Sequence, residues 1–328
     1  MTTGPDTLLP VALDPALPSA DLVALVAEAH AFVQRAKADK TRTTYRTAWR
    51  RYQSWCGEHG IDPLSPDPRQ LVLFVTELAR ALKTASIRTY LSGVAHHLRQ
   101  EGVPVDLQHK AIVEVLAGVA RTKGIRPTKV APLLPEVMRP VLAALPASPL
   151  GARDASLLLT GLHGALRRSE ISALDLADVE IQSRGVLVTL RRSKTDQAGR
   201  GAVVPLVAAR EAAVCPRAAL LRWLELRGDD PGPLYVQATR IGDLRDGLHR
   251  LSDRAVARIV QSALTRAGRD ATGYAGHSLR RGLATAAAQK QHTLAAIMKQ
   301  TRHKSADMAL SYVADVELWT SVSDGLFD

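Results

Sequence analysis

The sequence predicts a mainly α-helical protein of two domains, the second carrying a small β hairpin. Three observations support that prediction. Apolar residues recur at helical spacing from Leu22 to Ala120 and again from Leu134 onward. Two β-branched runs, Gly185-Val-Leu-Val-Thr-Leu190 and Ala202-Val-Val-Pro-Leu206, flank a polar turn that contains glycine. Between the helical stretches lies Gly124 to Pro135, marked by prolines and basic residues. With 328 residues, 46% of them hydrophobic, the chain can bury two cores of ordinary size.

Met1 to Ala20 holds five prolines or glycines and reads as a flexible leader, residues 1–20. In the first helix Leu22, Val26, Ala29 and Val33 share a face. A second, with Ala48, Tyr52 and Trp55, follows a basic run and ends at Gly57 and Gly60, before a loop at Pro63, Pro66 and Pro68. Leu71 to Leu82 is a third helix. The fourth starts at Thr84 as N-cap, spaces Ile87, Leu91, Val94, Ala95 and Leu98 helically, and stops at Gly102. Ala111 to Ala120 is a fifth. These define a helical domain over 21–123, a basic linker over 124–135 and a second domain over 136–328. That second domain opens with helices from Leu134 to Leu145 and from Arg153 toward Leu166, then the hairpin. Pro205 cannot donate to a ladder, which places its strand at an edge. Further helices follow at Arg217–Arg227, Ser252–Arg266, Leu279–Lys290, Thr293–Gln300 and Ala306–Tyr312.

Lys and Arg outnumber Asp and Glu by 43 to 32, a net charge of +11 that favours a polyanionic partner. The surplus is clustered: Lys37 to Arg51 holds six basic residues and one acid, and Arg121 to Lys129 four and none. Only Cys56 and Cys215 are present, far apart, which suggests a reducing interior. No apolar run spans a bilayer, and no secretory leader is recognisable. A cytoplasmic, nucleoid-associated protein is expected. Phosphate-binding glycine motifs are missing, and Cys56-x-x-His59 is half of a zinc spacing. No cofactor and no metal are expected.

The chemistry-bearing stretches are Ala165-Leu-Arg-Arg-Ser-Glu170, Arg192-Ser-Lys194, His277-Ser-Leu-Arg280, Arg302-His303 and Tyr312. Each alone has a plain structural reading: an exposed Arg–Glu pair, an idle turn lysine, a capping histidine, a packed tyrosine. Together they offer cations, two histidines and a phenol, with no run of carboxylates for a metal. That set suits attack on a phosphodiester by a side chain.

The order Arg167, Lys194, His277-x-x-Arg280, His303, Tyr312 resembles the tyrosine recombinase (phage integrase) family, over the whole second domain. The first domain resembles the core-binding domain of simpler, Cre-like and Xer-like members, and the pair implies a C-shaped DNA clamp. The resemblance implies that Tyr312 attacks the scissile phosphate to give a 3′-phosphotyrosyl link, while Arg167 and Arg280 hold the phosphate. It gives Lys194 the proton for the leaving 5′ oxygen, His277 proton transfer or positioning, and His303 a bond to the phosphate or the tyrosine. Arg167 is chosen over Arg168 because it stands three residues before Glu170, which would fix the geometry from behind. Members commonly carry Leu-Gly before the last histidine. Here Thr301-Arg302 stands instead, so a different local backbone is expected.

Arg42, Thr43, Arg46 and Arg50 on one helix, and Lys83, Thr84, Ser86 and Arg88 at the start of another, are candidate DNA contacts. Arg121, Lys123 and Arg281 join them. The implied partners are a double-stranded recombination site and further copies of the chain, a dimer per site and a tetramer in synapsis. Large apolar residues after Tyr312, among them Leu318, Trp319 and Phe327, would dock on a neighbour or on their own domain. A separate arm-binding domain is not expected. A type IB topoisomerase-like enzyme, a telomere resolvase and an inactive DNA-binding protein remain alternatives.

Overall fold

A computed structural model describes residues 20–35, 39–124, 129–191, 201–238, 248–303 and 305–316. They fall into two compact units divided between 127 and 128.

The first unit is all helical: α1 (Ala20–Arg35), α2 (Asp39–His59), α3 (Pro68–Ala81), α4 (Thr84–Gln100) and α5 (Lys110–Lys123). From Lys40 onward the basic run lies within α2 rather than ahead of it, and the helix continues through Gly57 to His59, stopping before Gly60 with its φ of 64°. Tyr52, Trp55 and Cys56 of α2 bury against Phe74, Leu78, Ile87, Leu91 and Leu98, leaving Arg46 and Arg50 exposed. Each large apolar side chain buried this way contributes roughly 1.5–3 kcal/mol. Helices α2 and α4 approach closely at Gly93, where a Cβ would lie 2.9 Å from Ala48 Cβ. His96 and His97 face this seam, with ring centroids 5.2 Å from Tyr45 and 5.4 Å from Trp49.

The second unit runs α6 (Pro135–Ala143), α7 (Pro149–His163), α8 (Arg168–Ala173), β1 (Val179–Gln182), β2 (Gly185–Leu190), β3 (Ala202–Val207), α9 (Pro216–Arg227), α10 (Asp253–Arg266), α11 (His277–Gln289), α12 (Leu294–Thr301) and α13 (Ala306–Val316). The hairpin forms as read, with Val188 opposite Val204 and Leu187 opposite Pro205. Strand β1 adds a third, antiparallel member, so β3 with its proline is an edge. Helix α7 starts four residues before Arg153, because Ser148 caps it and Pro149 takes the first turn. It is buried along almost its whole length, with Leu157, Leu158 and Leu162 at the centre of the core.

Part of the stretch read as linker belongs to this unit. Leu133 is buried, and its N–H donates to the Ser278 carbonyl at 3.0 Å on α11. The two backbones meet at Gly282, where a Cβ would stand 2.0 Å from the Leu133 oxygen.

Candidate active site

The site is built on the corner between α7 and α8. Ala165 there takes a left-handed conformation, φ 46°, unusual for a residue with a Cβ. Its carbonyl accepts from Arg280 Nη1 at 2.8 Å and from Arg302 Nη2 at 3.3 Å. Arg167 follows as the N-cap of α8, and Glu170 turns back on it. The carboxylate accepts from the Arg167 backbone N–H at 2.9 Å and from Nη1 at 2.6 Å. Arg302 Nη2 donates to the same carboxylate at 2.8 Å. Burial alone would raise the Glu170 pKa. The Arg167 N–H and the charges of Arg302 and Arg167 outweigh it and hold the group below the usual carboxylate range. Arg168 points elsewhere, to Asp253 at 3.3 Å.

Arg280 is fully buried on α11. The bond to Ala165 is its one hydrogen bond among the described residues, and Nε and Nη2 have no partner. Desolvation, then the like charges of Arg167 and Arg302, push its pKa down to about 9. A buried cation with unmet donors is costly, by about 1–3 kcal/mol per group. Three guanidiniums face one carboxylate here, a surplus of two positive charges. That charge balance and those donors suit an anion.

Tyr312 lies at the wall of this receptor. It is 4% exposed and packs with Ala284 and Ile297. Its ring stacks on His303, with centroids 5.7 Å apart and planes at 23°, and Arg281 Cζ sits 5.8 Å from its centroid. Arg281 is therefore half-buried against the phenol rather than a fully exposed residue. Thr301 Oγ1 donates to the Ile297 carbonyl at 2.6 Å and lies 2.9 Å from His303 Nδ1. A hydroxyl has one proton, so Nδ1 carries the hydrogen in that second contact. The neutral ring then keeps Nε2 as an acceptor.

Both site histidines are held neutral. For His303, burial and the charges of Arg280, Arg167, His277 and Arg302 push the pKa down to about 4. For His277, the first residue of α11, desolvation followed by Arg280, Arg167 and Arg281 does the same, to about 4. His277 keeps an exposed face, so the cationic neighbours are the durable part of its shift. A folded-state pKa below the unfolded value near 6.5 means that the unfolded chain takes up protons first. Stability is complete above about pH 6.5 and falls as pH drops toward 4. Thermal unfolding at stepped pH should show this slope, and the double variant His277→Gln/His303→Gln should flatten it. An unchanged slope would remove both rings as its source.

Lys194 lies outside the described residues. Of the candidate DNA contacts, Arg46, Arg50, Lys83, Ser86, Arg88, Arg121 and Lys123 are exposed, Thr43 too, and Arg42 is half-buried. Arg42, Arg46 and Arg50 repeat every four residues along one face of α2. Lys123 Nζ also donates to the Leu82 carbonyl at 3.1 Å. Thr84 corrects its reading twice. Lys83 is the N-cap of α4, and Thr84 is buried with its hydroxyl donating to Gly124 O at 3.2 Å. A hydroxyl so committed is withdrawn from a surface that meets DNA. Arg302 and Thr301 are the polar residues missed. The left-handed cap that a glycine would occupy is present, but Arg302 itself adopts it, at φ 56°. Among the described residues no three His, Cys, Asp or Glu side chains gather to hold a metal, and no helix is long and apolar enough to cross a membrane.

A buried cationic cluster beside a phenol, on a helical unit with one small sheet, has the charge and the nucleophile that side-chain phosphoryl transfer requires. Comparison with known proteins gives the family. The phage integrase family model matches residues 132–317. An integrase/recombinase xerD homolog of Selenomonas ruminantium is 32% identical over 285 residues, 86% of this chain and 83% of that protein. The fold resembles a lambda integrase(75–356) dimer bound to a COC′ core site, with TM-score 0.58 and 19% identity over 89% of this chain and 94% of that one. It also resembles XerH site-specific recombinase bound to a palindromic difH substrate, with TM-score 0.57 and 19% identity over 79% and 72%. The chain belongs to the phage integrase family, the tyrosine recombinases, and is a site-specific DNA recombinase.

Proposed function

We propose that Tyr312 is the nucleophile of this recombinase and that Arg167 and Arg280 clamp the scissile phosphate. The observation that carries the assignment is the buried Arg280 guanidinium with two unmet donors, next to Arg167 and a tyrosine wall. A phosphodiester satisfies those donors. As the phenol oxygen bonds to phosphorus, a second negative charge develops on the non-bridging oxygens, and the surplus of two positive charges matches it. His303, neutral and with Nε2 as acceptor, takes the phenol proton, and His277 positions the phosphate from the start of α11. The P–O5′ bond breaks, and Lys194 protonates the departing oxygen. A 5′-hydroxyl of a partner duplex then reverses the step and exchanges the strands. One phosphoester replaces another of similar energy, so no external energy source is required.

The DNA itself is held by the exposed basic residues, chiefly Arg46 and Arg50 of the helical unit, with Lys83, Ser86 and Arg88 beside the start of α4. We assign that unit a core-site-binding role, and dimers on each site pair into a tetramer. An apolar cavity of about 310 Å³ on the catalytic unit, lined by Met138, Leu159, Leu162, Val214, Leu283 and Ala286, supports such pairing.

A library of nicked duplexes with randomised arms tests the reading, because a covalent complex surviving denaturant identifies both chemistry and site. Recovery of no covalent complex would return the chain to the class of binding proteins. Relaxation of supercoiled plasmid without exchange would mark a topoisomerase-like enzyme. Binding should also weaken steeply with salt, since phosphate contacts release counterions. Arg46→Ala or Arg50→Ala should reduce the slope of log K against log[salt] by about 0.9 each and weaken all sequences alike. Fluorescence anisotropy across a salt series reads this, and a slope untouched by either change would take α2 off the DNA.

A further inference from the structure

Arg302 is unused by the reaction as proposed, yet it is among the most tightly held side chains at the site. Its backbone is left-handed, φ 56° and ψ 42°, a conformation that costs any residue with a Cβ. Its side chain is 13% exposed and runs back beneath the receptor. Nη1 donates to Gly164 O and to Gln300 O, both at 3.0 Å, while Nη2 donates to Glu170 Oε2 at 2.8 Å and Ala165 O at 3.3 Å. The two carbonyls on the α7–α8 corner and the carboxylate on α8 are thus tied to the end of α12. Of these, Glu170 orients Arg167 and the Ala165 carbonyl orients Arg280.

Charge gives the tie a second consequence. Glu170 faces Arg167 from the preceding corner, Arg280 and His277 from α11, and Arg302 from α12. Arg302 takes Oε2, and Arg167 Nη1 keeps Oε1. Without Arg302 the carboxylate would fall to Arg167 and Arg280 alone. Their surplus would drop to one positive charge, enough for a phosphodiester but not for its doubly charged pentacoordinate state.

We infer that Arg302 is a positioning residue that acts through Glu170, holding Arg167 in place and offsetting the carboxylate so that the clamp favours the transition state over the bound ester. The inference rests on reading Arg167 and Arg280 as the phosphate clamp. It places the effect of Arg302 on the cleavage rate, because interactions stronger in the transition state than in the ground state change turnover rather than binding.

Arg302→Gly tests it, since glycine adopts the left-handed cap without penalty and keeps the backbone. Three measurements are needed. Carbon NMR of glutamate-labelled protein without DNA follows the Glu170 titration, which should move upward in Arg302→Gly and return partway in Arg302→Lys. Covalent capture on the nicked duplexes should slow by about tenfold to a hundredfold, as for outer partners of other preorganised sites. Duplex affinity should stay within about a factor of two. In a Glu170→Gln background the same change should cost little, because the charge it offsets is gone. A Glu170 titration that does not move, or losses that simply add in the double variant, would reduce Arg302 to a brace for the helix end. A titration that moves while the wild-type protein captures no duplex would sink the clamp reading and leave the electrostatic link standing.

Discussion

Tyr312→Phe is expected to abolish covalent capture of DNA while leaving affinity for duplex unchanged. The ring sits in a packed setting, between His303 at 5.7 Å and Arg281 at 5.8 Å and against Ala284 and Ile297. Phenylalanine preserves the volume, the stacking and the cation–π contact, so the loss of one hydroxyl costs at most about 1–2 kcal/mol of stability. On the proposed reading the phenol is the attacking group, and no other side chain replaces it. Removing an enzyme's attacking group costs on the order of a million-fold in other covalent catalysts. Denaturing gels for the adduct and mobility shifts for binding separate the two effects. Persistence of an adduct in Tyr312→Phe would move the nucleophile elsewhere, and Tyr274, ahead of α11, would be the first alternative to test.

Arg280→Met should give the second large effect, with opposite signs on activity and stability. The guanidinium is buried with two donors unmet, and its pKa is pushed down to about 9. Methionine has a similar volume, though a shorter reach, and no charge to desolvate. Replacing an uncompensated buried cation with an apolar side chain removes a penalty of a few kcal/mol. The Ala165 carbonyl still accepts from Arg302 Nη2. The melting temperature is therefore expected to hold or rise, while cleavage falls by about a hundredfold to a thousandfold, the usual cost of losing one preorganised donor to a developing oxyanion. Arg280→Lys keeps the charge but not the fork, and one ammonium cannot hold Ala165 and reach the phosphate together. It should cleave slowly too. A marked drop in melting temperature for Arg280→Met would show instead that the guanidinium serves the fold.

The helices were legible wherever a cap or a stop coincided with the apolar period. Ser252 and Thr293 each cap a helix within a residue of where the pattern places its start, whereas Pro68, read as loop, is the first residue of α3 behind its cap Asp67. The start of α7 was misplaced because Arg153 interrupts the apolar pattern. The side chain is buried against Asp154 and the Val236 carbonyl, a long-range arrangement that no local window contains. Strand β1 was missed because four residues are too few for an alternation to stand out, and its evidence as a strand is its pairing with β2. Within the site, the resemblance of the residue order to the tyrosine recombinases pointed to Arg167, Glu170, His277, Arg280, His303 and Tyr312, and the structure places these six near one another. Arg302 read as a mere departure from glycine. Its use depends on a carboxylate 132 positions earlier. Thr84 shows the converse error, since a polar residue at a basic helix start looks like a surface group until Gly124 is seen to claim its hydroxyl.

Helix α11 carries both His277 and Arg280, and its height above the chain at Leu133 is set where Gly282 meets that carbonyl. One methyl group at 282 would need space that the oxygen already fills, 2.0 Å away. The helix would have to lift, and every donor mounted on it would lift as well. The aim of Arg280 and His277 thus depends on an uncharged position that offers no reactive atom, and drift there would misdirect both while their own side chains stayed intact.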